Sequence, residues 1–520
     1  MDNVLRAELG PLYVGIPRFR EAYFGGVAGL EAASKAVFKK CTEGSNLLFS
    51  KGWSRWPKDA NQDDVLSWFA DLSEKLAVLA EDYKPAQARR RRPLAQPNKP
   101  IQGSTAERKL DVGFVDDSEA GKDSRCHWSQ ILIPGELKSN PSADKASKAW
   151  LDLGRYAREV LAAKDVRRFV LGFTMCGSLM RIWEFDRLGG IASEKFDINE
   201  DGLQLVSTVL GFLWMNEEQL GFDPTIITED GQRLITIRRN GRTERLVIDE
   251  AMKRAPCVAG RATTCWKAYL EGEPRIKFVI KDSWQYPERE EEGELLREAT
   301  DQGVVNVARY YSHETVSVRG RIDEIRSNVR RGLNIMEATN YRPGRSEVSP
   351  GMSAGSATGR GRRSTAGIKR SSSQTGAALP PSKRPCSASP TKPDSSALLN
   401  RVHRRVILRD YGKPIYDASS RSALLAALEG CIDGHESLLK AGILHRDISI
   451  NNLSQRTIRG NPVHGLQLPH WPAISLYVAP IPHASSTQLT IIQSCSLSSS
   501  LPSHTGSPTS APAGTRSSHG

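Results

Sequence analysis

Residues 343–397 hold almost no large apolar side chain and are rich in Ser, Gly, Pro, Ala and Arg. Such a stretch cannot bury enough surface to offset the entropy of ordering a chain, so it is expected to be disordered. Order is expected to resume at Val402, where Val406-Ile407-Leu408 reads as a strand. Whatever folds here is therefore assembled from segments on both sides of a long basic insert.

The other bounds are broad. At 520 residues the chain has room for two or three domains of ~100–200 residues each. No run approaches the ~18 consecutive apolar residues of a membrane span. The start, Met1-Asp2-Asn3-Val4, lacks the basic and apolar regions of a signal peptide. No membrane partner is expected. Eight cysteines without a CxxC pair fit a reducing, intracellular setting. The formal charge of +13 is concentrated in runs: Arg89 to Arg92, then Arg360, Arg362, Arg363, Lys369, Arg370, Lys383 and Arg384. Such runs can direct a protein to the nucleus or hold it near nucleic acid, and they also occur as plain solvated linkers.

Residues 1–85 read as a mostly helical region, with Val65, Leu66, Phe69, Leu72, Leu76 and Leu79 at helical spacing. Residues 86–105 read as a basic, proline-rich linker. Residues 106–224 read as an α/β module. It has strands near 110–115 and 131–133, a helix over about 144–163, strands over 169–175 and 179–185, and a buried segment at 206–214. Residues 225–342 read as a strand-rich lobe with one helix over 290–299, its early strands parted by the turn signals Asp230-Gly231 and Asn240-Gly241. Residues 398–453 hold a strand and an amphipathic helix over 420–441. That helix carries Leu424, Leu425, Leu428, Ile432 and Leu439 on one side and Gly442 as its cap. Residues 454–520 read as a disordered tail.

Directly after that helix comes His445-Arg446-Asp447-Ile448-Ser449-Ile450-Asn451-Asn452. The pattern H-R-D-x-x-x-x-N is that of a phosphoryl-transfer loop. An Asp at its start accepts the proton of an attacking hydroxyl. An Asn five positions on turns back to hold Mg²⁺ between nucleotide phosphates. The same chemistry needs a strand lysine, and Phe278-Val279-Ile280-Lys281 supplies Lys281. It needs a helix glutamate to hold that lysine. Glu292 is the candidate, with Glu294 and Glu298 as rivals. Gly260, in Gly260-Arg261-Ala262-Thr263, stands where a phosphate loop belongs, although Ala262 fills a place where glycine is expected. Lys281 and Asp447 lie 166 residues apart (447 − 281), an excess that the insert partly explains.

The sequence resembles the fungal-type protein kinases, a family with a divergent kinase domain. The resemblance covers roughly Leu110 to Leu453. It rests on Leu110-Asp111-Val112-Gly113-Phe114, Pro134-Gly135-Glu136-Leu137-Lys138-Ser139-Asn140, Trp183-Glu184-Phe185-Asp186-Arg187, Gly221-Phe222-Asp223-Pro224-Thr225, Lys281-Asp282-Ser283-Trp284 and the loop at His445 to Asn452. The resemblance implies ATP and Mg²⁺ as cofactors and Ser/Thr hydroxyls of a protein as acceptors, with Asp447 as the base. One departure stands out. The strand carrying D-F-G, or D-F-D in this family, does not follow Asn452, and residues 454–520 contain no aspartate or glutamate. The chain is therefore expected to be inactive as written, cut short or misjoined after its catalytic loop.

Asp111 and Glu136-x-Lys138 also resemble the D…E-x-K signature of restriction-endonuclease-like folds. There, two carboxylates hold a divalent metal and a lysine steadies the attacked phosphate. The expected fold class is thus α+β: a protein-kinase-like fold with an N-lobe and an incomplete C-lobe, preceded by an α/β module resembling restriction-endonuclease-like folds. The alternatives are a metal-dependent nuclease-like or nucleic-acid-binding module built on Asp111, Glu136 and Lys138, and a non-catalytic scaffold.

Overall fold

The computed structural model describes residues 2–43, 46–84, 91–95, 100–104, 108–120, 124–342 and 398–445, and the backbone of short strands at 453–456, 472–474 and 478–480. The insert expected at 343–397 lies outside the described residues, as do Arg446, Asp447 and Asn452.

The chain opens with α1 (Asp2–Leu9), β1 (Tyr13–Ile16), α2 (Phe19–Phe24), α3 (Leu30–Thr42) and α4 (Gln62–Leu79). Asn61 caps α4 by accepting the Asp63 N–H at 3.1 Å, one of the donors a helix start leaves unsatisfied. Its periodic apolar residues Leu66, Phe69, Leu72 and Leu76 are buried. Then follow β2 (Arg91–Ala95), β3 (Val112–Asp116), β4 (Ile131–Lys138), α5 (Ala149–Ala163), β5 (Val170–Cys176), β6 (Leu179–Asp186), β7 (Gly189–Ser193) and α6 (Gly202–Trp214). The strands join one sheet in the order β1-β7-β6-β5-β4-β3-β2, with the short strand Phe196–Asp197 beside β6. β4 runs parallel to β5, joined by the α5 crossover, and β1 runs parallel to β7. Helices cover both faces. On one, Phe69 of α4 stacks on Phe173 of β5 at 5.5 Å, and Phe114 of β3 meets Phe212 of α6 at 5.6 Å. Such ring pairs contribute about 0.5–1.5 kcal/mol each beyond their buried area. On the other, Leu5 and Leu9 of α1 and Leu153, Ala157 and Val160 of α5 pack with Val170, Trp183 and Phe185.

Two expectations change here. Residues 1–85 are not a separate helical region: β1 enters the sheet, and α2, α3 and α4 share its core. A four-residue strand is too short to show alternation. The linker expected at 86–105 contains β2, an edge strand against β3. Pro93 lacks an N–H, which an edge position tolerates. The segment at 206–214 is buried as expected; it is helical, and because it is apolar nearly all round its period alone does not distinguish helix from strand.

The second sheet is antiparallel throughout. Its elements are β8 (Ile226–Glu229), β9 (Gln232–Arg239), β10 (Arg242–Arg254), β11 (Thr264–Leu270), β12 (Glu273–Gln285), α7 (Glu292–Asp301), β13 (Tyr310–Thr315) and β14 (Val402–Leu408). The strand order is β8-β9-β10-β11-β12-β14-β13. Asp230-Gly231 and Asn240-Gly241 turn two of its hairpins, all four residues having positive φ (47°, 76°, 50° and 75°), the signature of type I′ turns.

After β13 the chain leaves this sheet. Ile325, Val329 and Ala338 are buried in the first sheet's core. Arg330 grips Asp186 through two bonds of 2.6 and 3.0 Å, and the Thr339 N–H donates to the Val14 carbonyl at 2.9 Å. The stretch from 325 to 342, expected within the lobe, therefore packs on the first body. A bidentate buried ion pair and three apolar anchors hold it there.

α8 (Arg421–Lys440) starts at Ser420, whose hydroxyl accepts the Ala423 N–H at 3.1 Å. Past its end Gly442 adopts φ 77°, the left-handed conformation glycine tolerates. The face it buries differs from expectation. Ala427, Gly430, Cys431, Gly434 and Leu438 are buried, whereas Leu425 and Ile432 are 66% and 68% exposed. Small residues allow close backbone approach, so this side of the helix packs. The tail also departs from full disorder: Leu453–Arg456 pairs with Gly412–Pro414 and Pro472–Ile474, and Val478–Pro480 pairs with Ile443–His445.

Candidate functional site

Lys281 sits on β12, opposite Cys265 of β11 and Val406 of β14. Its neighbours Ile280 and Asp282 are buried. α7 begins at Glu292 and leans on β13 so closely that a Cβ on Gly293 would meet the His313 ring at 2.3 Å. This packing turns Glu292 inward. Lys281 Nζ donates to Glu292 Oε1 at 2.6 Å, and Arg261 lies 3.3 Å from Oε2. The rivals point elsewhere: Glu294 pairs with Arg297 and His313, and Glu298 accepts from Gln302. The structure thus brings Lys281 and Glu292 together, with Arg261 as a third member that sequence reasoning passed over.

Gly260 lies in the loop between β10 and β11, with φ 129°. This loop is docked on the first body. Arg187 Nη1 donates to the carbonyls of Cys257 and Val258 at 3.0 and 3.2 Å, and the Gly260 N–H donates to the Arg187 carbonyl at 3.0 Å. Val258 is buried in the core beneath α1 and α5, and its N–H donates to Glu8. The Arg261 carbonyl accepts the Trp284 N–H at 2.8 Å. Ala262 is held at φ 45°, a left-handed conformation that costs a non-glycine residue about 1–2 kcal/mol.

Behind Lys281 lies a buried ion network. Arg405 on β14 binds Asp282 through two bonds of 2.9 and 2.8 Å and reaches Asp223, Thr225 and Glu314. His403 bridges Asp282 and Asp323 at 3.1 Å each and stacks on Trp284. Arg168 of the first body closes the chain on Asp323 at 2.7 Å. Burial pushes the Asp282 carboxyl up, but Arg405 and His403 outweigh it and hold it at about 2. Burial likewise disfavours the His403 imidazolium, yet Asp282 and Asp323 raise it to about 9. Asp223, Asp282 and His403 lie close enough together to hold a metal ion. Both Asp282 oxygens and both His403 nitrogens already have partners, so this cluster is an ion-pair network rather than an open coordination site. Asp223 and Asp282 stand in recognised sequence stretches, but nothing in the sequence flagged His403 or Arg405 as their partners.

The second constellation also converges. Asp111 Oδ2 accepts the Leu137 N–H at 3.0 Å. Lys138 contacts Glu136 and lies 3.1 Å from Asp152 of α5. Glu136 is 1% exposed, with Lys138, Asp111 and Tyr156 against its carboxyl. Burial, with Asp111 beside it, raises the Glu136 carboxyl to about 8. Asp111 is raised as well, chiefly by burial.

His445 ends a short strand, Ile443–His445, after α8. Arg446, Asp447 and Asn452 cannot be placed against Lys281, because they lie outside the described residues. Among the described residues no helix is long and apolar enough to cross a membrane.

A mixed α+β body rich in sheet is consistent with a kinase-like family. The family model described as fungal protein kinase matches residues 109–457. No curated protein matches the chain. The chain belongs to the fungal protein kinase family.

Proposed function

We propose that the chain is a nucleotide-binding, protein-kinase-like protein whose phosphoryl transfer to Ser/Thr hydroxyls is impaired. The observation that carries this reading is the Lys281–Glu292 bond of 2.6 Å between a central strand and the helix after it. Kinases use that pair to hold nucleotide phosphates. Lys281 would orient the phosphates and Glu292 would keep its amine in place. Asp447 would accept the hydroxyl proton, and His445 and Arg446 would frame it. Asn452 would hold Mg²⁺, which neutralises charge developing on the transferred group. Residues 454–520 supply no carboxylate for a second metal-holding position, and this supports impairment. ATP binding by the full chain, lost in Lys281→Met, tests the nucleotide reading. Phosphate transfer to a generic protein substrate, abolished by Asp447→Asn, would show that impairment is wrong. Nucleotide binding without transfer fits a scaffold role.

A second reading concerns the first body as a restriction-endonuclease-like module. The succession α4, β2, β3, β4, α5 and β5, with β4 parallel to β5, supports it. So does the convergence of the buried carboxyls of Asp111 and Glu136 on Lys138. Hard carboxylate oxygens suit Mg²⁺ or Mn²⁺. Asp111 and Glu136 would hold the ion and Lys138 would steady a phosphate. Stabilisation by Mn²⁺ alone, and metal-dependent DNA cleavage lost in Glu136→Ala, test it. The basic runs support a nucleic-acid partner and a nuclear location, which imaging of the full chain with the 360–384 basic residues replaced would check.

A further inference from the structure

The loop between β10 and β11, residues 255–263, carries one charged side chain, Arg261. Its guanidinium and the Lys281 amine take opposite oxygens of the same Glu292 carboxylate. Two cations thus face one acid. Their side chains are not equally reachable: Glu292 is 3% exposed, Lys281 13% and Arg261 30%. Arg261 stands on the solvent side of the cluster, where an incoming anion would meet it first.

The loop is also rigid for a physical reason. Val258 is sunk in the first body, Gly260 is tied to Arg187, and the Arg261 carbonyl is tied to Trp284. Ala262 is kept left-handed between these restraints. Loops that bind phosphate through backbone amides depend on glycines for close approach. This one retains a single glycine, Gly260. A guanidinium offers five donors in a planar fork that matches phosphate oxygens, and it needs no such approach.

We propose that Arg261 binds the phosphate groups of the nucleotide, a guanidinium doing here what backbone amides do in a glycine-rich loop. The proposal rests on the nucleotide reading of Lys281 and Glu292. On nucleotide entry Arg261 exchanges part of its contact with Glu292 for phosphate oxygens, while Glu292 keeps Lys281.

The test uses the full chain with Mg²⁺ and compares ADP with adenosine in competition against a fluorescent ADP analogue. Arg261→Ala should weaken ADP binding about tenfold or more, the worth of a charge-assisted hydrogen bond, and leave adenosine unchanged. Arg261→Lys should fall between. Melting temperatures of both variants should stay near that of the parent chain, since the side chain is partly exposed. Equal losses for ADP and adenosine would mean that Arg261 only shapes the loop and would overturn the proposal. So would unchanged ADP binding, or tighter binding, which would make Arg261 a latch on Glu292 instead. Lys281→Met separates the two levels. If it and Arg261→Ala both leave ADP binding unchanged, the nucleotide reading fails and takes the proposal with it. If Lys281→Met alone weakens ADP binding, only the proposal fails.

Discussion

Lys281–Glu292 and Lys138–Glu136 are both lysine–glutamate pairs with the acid buried, yet their surroundings are opposite. At Glu292 two cations, Lys281 and Arg261, share one carboxylate. At Lys138 the carboxylates of Glu136 and Asp152 share one amine, with Asp111 close by. The first cluster sets two cations on one buried acid. In the second, three acids face two cations, Lys138 and, on Asp152, Arg155; burial first, and Asp111 next, raise the Glu136 carboxyl to about 8, which favours a proton there. The same two residue types therefore stand in opposite surroundings, set by burial and by the neighbours of each sign.

Removing the acid should thus have opposite effects at the two places. Glu292→Ala leaves Lys281 and Arg261 facing each other, mostly buried, and should cost about 3–5 kcal/mol, read as a lower denaturant midpoint. A loss under about 1 kcal/mol would show that the pair is no more than a surface contact.

Glu136→Gln should stabilise the protein at pH 8. The Glu136 carboxyl rises from 4.5 to about 8 on folding. The folded state therefore binds this proton more tightly, and stability falls as pH rises from the unfolded value through the folded one. The penalty is at most about 5 kcal/mol at ~1.36 kcal/mol per unit. Urea titrations from pH 5 to 9 should show the parent chain losing stability over that window and the Gln variant losing less.

The ion network supplies a balanced case between these extremes, since its cations and carboxylates alternate. His403 rises from 6.5 to about 9, so its contribution is fully present below pH 6.5 and is lost as pH rises through 9. About 3 kcal/mol should disappear across that window. His403→Gln should remove the upper part of the pH dependence and leave the Glu136 part intact.

The smallest effect should come from Arg261→Ala, below about 1 kcal/mol in stability, because Lys281 remains on Glu292. A larger loss would mean that the loop depends on this side chain for its fold.

Local patterns carried the parts of this molecule that are local. Lys281 is marked by its strand, Glu292 by its place one turn before the leucine pair Leu295 and Leu296, and the two hairpins by Asp-Gly and Asn-Gly. Partners brought in from far along the chain left no such mark. His403 meets Asp282 across 121 residues, with the insert between them, and Arg168 meets Asp323 across 155. The buried face of α8 was misjudged for a different reason. Hydrophobic spacing finds the apolar side of a helix, whereas Gly430 and Gly434 show that close approach decided which side packed.

The excursion of the chain after β13 has a consequence for how the insert can vary. Its two flanks are pinned within the folded body. Asn340 donates to the Leu12 carbonyl at 2.7 Å before it, and Arg401 donates to the Trp284 carbonyl at 3.0 Å after it. Closing a flexible chain between two held ends costs only about 0.6 kcal/mol more for each doubling of its length. Asn340 and Arg401 thus fix where an intervening sequence of any length leaves and rejoins the fold.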